Sequence, residues 1–278
     1  MLPLTMRPRP GGTAAQLRRS LPMPLVRALV RARVALESRR PASMARARAE
    51  IGHLLGSDHR QLDRLARDYL AWELRRAELR WHLDVVGDQQ VEGVEHVTAA
   101  AARGKGVLLS FLHHAHFEGA FPALRAAGVD LDLVVDPLMV SDDAPDFVAQ
   151  HAYVCSTGGR LHSVEMGSRG VIELLGAARN VGMALDAIGR TPVEFLGQPR
   201  IGSFGLARIA HEHDVPVVPM TFWPHGRTQR VQLGEPVEAG AFGSAGDLLS
   251  HLLGVHEASV RAWPQAYDRP LRRWGVAA

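Results

Sequence analysis

Two runs almost free of polar residues, Val107-Leu-Leu-Ser-Phe-Leu112 and Val215-Pro-Val-Val-Pro-Met-Thr-Phe222, constrain this chain more than anything else in it. A strand wetted on one face alternates polar and apolar residues with period two. These runs do not alternate, so both of their faces must be covered, as in a sheet sandwiched between helices. The intervening segments supply the cover. Helical patterns over 94–103, 117–127, 145–154, 168–178, 203–213 and 245–262 alternate with strand patterns over 131–135, 161–164, 181–186 and 193–196 and an edge strand over 231–233. That order predicts an α/β fold with a central, mainly parallel or mixed sheet flanked by helices.

Ahead of this region lies a Pro/Gly-rich lead (1–12) and then a helical stretch. Apolar residues recur among arginines from Leu17 to Leu36, which reads as one amphipathic helix with a basic flank. Two more helices are predicted over 42–56 and 58–82, the second capped by Ser57 or Asp58. The chain thus divides into a basic helical N-terminal extension, 1–83, and an α/β domain, 84–278, forming one continuous fold. At 278 residues and 46% hydrophobic it can bury a substantial core.

Charge is unevenly spread. Residues 1–80 hold 17 Arg against 7 acidic residues, a balance of +10, whereas the remainder holds 15 basic and 22 acidic residues, −7. A basic third of this kind suits an anionic partner such as a membrane surface. No nucleic-acid motif accompanies it, so no nucleic acid is expected. Cys155 is the only cysteine, which rules out an intramolecular disulfide. No stretch of ~20 apolar residues predicts a membrane-spanning helix. Nor does the N-terminus read as a secretory signal. The expected location is cytoplasmic, either free or peripheral on the inner face of the cell membrane.

The chemistry concentrates at His113-His-Ala-His-Phe-Glu118, directly after the first apolar run. On a continuous helix residues i and i+5 point about 140° apart, so His113 and Glu118 would not meet. A strand ending at His113, a tight turn, and a helix opening near Phe117 could bring them together. Glu118 would then hold one ring nitrogen and leave the other as a general base. Three histidines in four residues also raise a zinc site, but no HExxH or Cys-x2-Cys partner appears, and no bound metal is expected. Ser110 and Ser203 lack a Gly-x-Ser-x-Gly elbow, which argues against a serine hydrolase.

The segment Gly104-Lys-Gly-Val-Leu-Leu-Ser-Phe-Leu-His-His-Ala-His-Phe-Glu118 resembles the His-x4-Asp/Glu region of the lysophospholipid acyltransferase superfamily. The closer likeness is to its lipid A (lauroyl and myristoyl) and phosphatidylinositol mannoside acyltransferase branch. That branch reads His-Phe-Gly-Asn-Trp-Glu here, so Ala115, His116 and Phe117 replace Gly, Asn and Trp. Further matches follow in the family's order: Gly182-Met-Ala-Leu-Asp186, Val193-Glu-Phe-Leu-Gly-Gln-Pro199, and Gly205–Ala210 with Val215–Pro219. Trp263-Pro-Gln-Ala-Tyr267 and Arg272-Arg-Trp274 echo the branch's C-terminal tail. The likeness spans roughly residues 60–275.

The resemblance implies a fold like that of glycerol-3-phosphate acyltransferase and a reaction needing no cofactor. A fatty acyl group would pass from acyl-CoA or an acyl carrier protein to a hydroxyl of a lipid or glycolipid acceptor. His113 would be the base and Glu118 its partner, with Asp186 orienting the acceptor or assisting the base. His116 would line the acceptor pocket, and Arg190, Gly197 and Arg200 would help bind substrate. Two rivals remain open: a soluble tailoring enzyme acylating a small metabolite, and a non-catalytic module that binds a membrane or carrier protein.

Overall fold

A computed structural model describes residues 6–226 and 228–276. Its helices are α1 (Thr13–Ser20), α2 (Met23–Glu37), α3 (Pro41–Leu55), α4 (Leu62–Leu79), α5 (Leu83–Val86), α6 (Val94–Ala101), α7 (Phe117–Ala126), α8 (Asp146–Gly158), α9 (Gly167–Gly176), α10 (Gly205–His213), α11 (Ala245–Ala262) and α12 (Pro270–Arg273). Its strands are β1 (Gln90–Glu92), β2 (Leu108–Phe111), β3 (Leu131–Val135), β4 (Gly159–Ser163), β5 (Val181–Ala184), β6 (Thr191–Phe195), β7 (Gln198–Gly202), β8 (Val217–His225), β9 (Thr228–Leu233) and β10 (Gly275–Val276).

Seven strands form the central sheet in the order β1-β9-β8-β2-β5-β3-β4. Every neighbouring pair is parallel except β8 with β9. The expected mixed, mainly parallel sheet is therefore present. The first apolar run becomes β2, with all four residues buried, between β5 and β8. Alternate residues of this region face opposite cores, Leu108 and Leu112 on one side and Leu109 and Phe111 on the other. Helices α9, α10 and α11 cover the first face, and α6 and α7 the second. A buried Leu or Phe in such a core contributes ~1.5–3 kcal/mol relative to an exposed one, so two covered faces explain why neither run alternates.

The sequence expectations need five adjustments, the first being that the helix expected over 58–82 starts only at Leu62, after Gln61, so neither Ser57 nor Asp58 caps it. The single helix over Leu17–Leu36 breaks at Leu21-Pro22 into α1 and α2, because Pro22 and Pro24 lack the N–H donors that a continuous helix requires. The strand over 193–196 is one arm of a hairpin: β6 and β7 pair antiparallel and, with β10, make a second, three-stranded sheet. The expected edge strand over 231–233 is flanked on both sides, by β8 and by β1. The run at 215–222 begins as a strand only at Val217 and continues to His225.

Helices α3 and α4 pack together around Ile51, Ala66, Tyr69 and Leu70. They also reach into the sheet's cores, where Leu54 joins one and Trp72 packs against the other. That contact places α4 beside the end of β2.

Candidate functional site

Beyond the end of β2 the chain turns sharply. His114 N–H donates to Leu112 O at 2.7 Å, and Ala115 adopts a left-handed φ of 57°. Ala115 stands where the acyltransferase branch carries glycine, the residue that takes this conformation without steric cost. The turn is held from outside. Ala115 N–H donates to Ala266 O at 2.8 Å, and His116 N–H donates to Gln229 Oε1 at 2.8 Å. Helix α7 then opens at Phe117. Ligands in open α/β sheets bind outside the carboxyl ends of the strands, and His113 lies at that end of a central one.

The partner of His113 is Asp186. Its Oδ1 sits 2.7 Å from His113 Nδ1, and its Oδ2 accepts the His113 backbone N–H at 3.0 Å and the Tyr267 hydroxyl at 2.7 Å. Asp186 is fully buried, two residues past β5. Burial disfavours its charge, yet His113 with the further help of Arg273 and the Tyr267 hydrogen bond outweighs that and holds its carboxyl below the usual range. An ionised Asp186 accepts a hydrogen bond from Nδ1–H, which leaves His113 Nε2 as the acceptor nitrogen. His113 keeps some solvent contact, with 16% of its side chain exposed.

Glu118 corrects the sequence expectation. It does not touch His113. It is fully buried in the first turn of α7, and its Oε1 accepts from Arg80 Nε at 3.2 Å and Nη2 at 3.1 Å. Arg76 Nε lies 4.0 Å away, and Nη2 of the same guanidinium pairs with Asp268 Oδ1 at 2.7 Å. Burial would push the Glu118 carboxyl up, but the two arginines dominate and hold it at about 2. The physical reason is the turn at Ala115, which starts α7 with Glu118 facing α4 while the Phe117 ring packs edge-on against His113 at 4.7 Å. Arg76 stands over the same ring at 5.5 Å.

The remaining residues sort by burial. His116 is buried against Trp72, ring centroids 4.7 Å apart, and burial lowers its pKa to about 3. It is a neutral, buried ring in the turn, and neither of its ring nitrogens has a hydrogen-bond partner among the described residues. Arg200 is buried in the second sheet, where a guanidinium nitrogen donates to His53 O of α3. It ties β7 to α3 and is not presented to a substrate. Gly197, at φ 73°, forms the β6–β7 turn together with Leu196 at φ 57°. Arg190 is exposed on the loop that follows Asp186.

The three histidines diverge. His113 faces Asp186, His114 Nε2 donates to Trp263 O at 2.8 Å, and His116 lies on Trp72. No group of three or more His, Cys, Asp or Glu among the described residues is placed to hold a metal ion. Protein dialysed against a strong chelator is expected to keep any acyl-transfer activity. Stoichiometric zinc by elemental analysis, with activity lost on stripping and regained on zinc addition, would overturn that expectation.

Sequence reading missed Arg76, Arg80 and Asp268. The first two sit one turn apart on α4, the spacing that puts both on one helix face. In a chain with 31 arginines that signal does not stand out.

No protein-family model matches the sequence, and no curated protein matches it. Among solved structures, the 1-acyl-sn-glycerophosphate acyltransferase of Thermotoga maritima is similar at a TM-score of 0.43 and 18% identity, covering 71% of this chain and 83% of that one.

Proposed function

We propose that this chain is an acyltransferase that moves a fatty acyl group from a thioester donor to a hydroxyl of a lipid or glycolipid acceptor. The observation that carries the reading is the His113–Asp186 pair at the carboxyl end of β2, with Nε2 left to accept a proton. In the reaction, Nε2 takes the acceptor's hydroxyl proton as its oxygen attacks the thioester carbonyl. The tetrahedral adduct collapses, the C–S bond breaks, and the imidazolium returns the proton to the departing thiolate. Asp186 supports the imidazolium charge and keeps the ring in register.

An apolar substrate suits the surroundings. The segments leaving β3, β4 and β5, at the same sheet edge as His113, expose Leu138, Val164 and Ile188, the last at 84%. Loss of thioester coupled to formation of an O-acyl lipid tests the proposal. Transfer only to small water-soluble alcohols favours the tailoring rival, and thioester binding without turnover favours the non-catalytic module. The sequence likeness to the lipid A and phosphatidylinositol mannoside branch supports a glycolipid acceptor.

An anionic membrane surface is the proposed partner of α2. Leu25, Leu29 and Leu36 form an exposed stripe on this helix, at spacings that keep them on one face, while Val26 is buried on another. Arg27 and Arg31 are exposed beside the stripe, whereas Arg33 lies 3.7 Å from Glu78 of α4. Among the described residues no helix is long and apolar enough to cross a membrane. Docking of α2 in the interface plane fits this pattern. Binding to phosphatidylglycerol-containing vesicles should weaken with salt, because exposed charges are screened over ~8 Å at physiological ionic strength. Leu25→Asp with Leu29→Asp should abolish sedimentation with vesicles and leave turnover of soluble substrates intact. Vesicle binding equal to the parent protein would show that the stripe is plain surface.

A further inference from the structure

The segment 264–276 carries two aromatic residues that a surface tail has no reason to bury, Tyr267 at 1% exposure and Trp274 at 2%. Their polar atoms form a directed chain. Trp274 Nε1–H donates to Tyr267 OH at 2.9 Å, and Tyr267 O–H donates to Asp186 Oδ2 at 2.7 Å. An indole can only donate, so the Tyr267 oxygen must accept there and its single proton must go to Asp186. Oδ2 also takes the His113 backbone N–H, which leaves Oδ1 to face the ring. Each link therefore has one proton arrangement, and the chain ends with a proton on His113 Nδ1.

The same segment grips the backbone of His113. Asp268 N–H donates to His113 O at 2.8 Å, and Ala115 N–H donates to Ala266 O on the other side of an antiparallel bridge between His114 and Tyr267. Trp274 is anchored in turn by stacking on Phe195 at 4.9 Å. Gly202 of β7 makes room for it, since a Cβ there would meet the indole at 2.9 Å.

From this geometry we infer that Tyr267 and Trp274 are positioning residues for acyl transfer: they clamp Asp186 so that His113 is held in the tautomer whose Nε2 faces substrate. The inference rests on His113 being the base. Without the Tyr267 hydroxyl, Asp186 loses one of the donors that spread its charge and pulls harder on the His113 proton. The other charged groups facing His113 stay in place. They are Asp268, which faces His113 directly, and Arg273, which acts on Asp186, while Glu118 of α7 remains tied to its own arginines.

The test is the Tyr267→Phe variant, read in two ways. By NMR on labelled protein, the His113 titration should move to higher pH than in the parent. The acid limb of the kcat/KM profile should move with it, and plateau kcat should fall about tenfold with acceptor KM little changed. Trp274→Phe, which keeps the stacking on Phe195, should shift both curves the same way by less. The double variant should match Tyr267→Phe alone, because Trp274 acts through Tyr267. A His113 titration superimposable on the parent's in both single variants overturns the clamp, as do additive effects in the double variant. Undiminished turnover by His113→Ala would instead overturn the base assignment on which the clamp depends. The NMR titration needs no substrate, so the two failures are distinguishable.

Discussion

Replacing His113 with alanine is expected to lower acyl transfer by a factor of ~10²–10⁴, the usual cost of losing a positioned general base. The protein should stay folded. The His113 side chain sits at the edge of the core, and its one polar bond among the described residues is to Asp186. Its removal leaves Asp186 with two donors, the residue-113 backbone N–H and the Tyr267 hydroxyl. The loss of stability should therefore stay within about 1–3 kcal/mol, the cost of one buried charged acceptor losing one of its donors. Turnover with a verified donor and acceptor, set beside a thermal melt, decides the matter. Near-parental turnover would remove His113 from the reaction.

The second large effect belongs to Asp186→Asn, which should cost ~10³–10⁴ in kcat with little change in melting temperature. Two fixed donors point at the Oδ2 position, so the amide oxygen must occupy it. The amide NH₂ then faces His113 Nδ1 and forces that nitrogen to accept, which moves the ring proton to Nε2 and blocks the base. Glu118→Gln should behave in the opposite way. It leaves two arginines over a neutral side chain in a buried site, so its main cost is stability, of order 3 kcal/mol. Its pH signature follows from the depressed carboxyl: the stabilisation is complete above the unfolded value of about 4.3 and fades as pH falls toward 2. The parent should lose stability across that window, and Glu118→Gln should lose less there. If Glu118→Gln proves the more damaging to kcat at unchanged stability, the partner assignment is wrong.

The sequence carried His113, Glu118 and Asp186 as candidates, and its spacing pointed to Glu118, where the structure brings Asp186 to the imidazole. Spacing gives the separation of His113 and Glu118 along the chain. The direction of Glu118 depends on the left-handed turn at Ala115 and on two arginines contributed by a helix that precedes the sheet. Asp186 was legible as a carboxylate at a strand end because β5 is a short apolar segment with a clear stop. Its contact with His113 depends on β2 and β5 being neighbours in register, a pairing that sequence order does not reveal. Helix α7 and strand β3 fell within one residue of expectation, since each is a local pattern with a clean boundary. Arg200 and His116 were misplaced because burial is set by what other segments cover. Neither residue advertises that cover in its own neighbourhood.

The antiparallel bridge between His114 and Tyr267 joins the end of β2 to a segment synthesised long after it. A growing polypeptide can lay down helices and pair β2 with β5 while Tyr267 and Trp274 are still inside the ribosome. It cannot fix the imidazole of His113, because the groups that lock its acid have not emerged. Long-range contacts of this kind form late, after loop closure has been overcome. The nascent chain would then be chemically silent until residue 274 is free to seat against Phe195, and competence would arrive with that event.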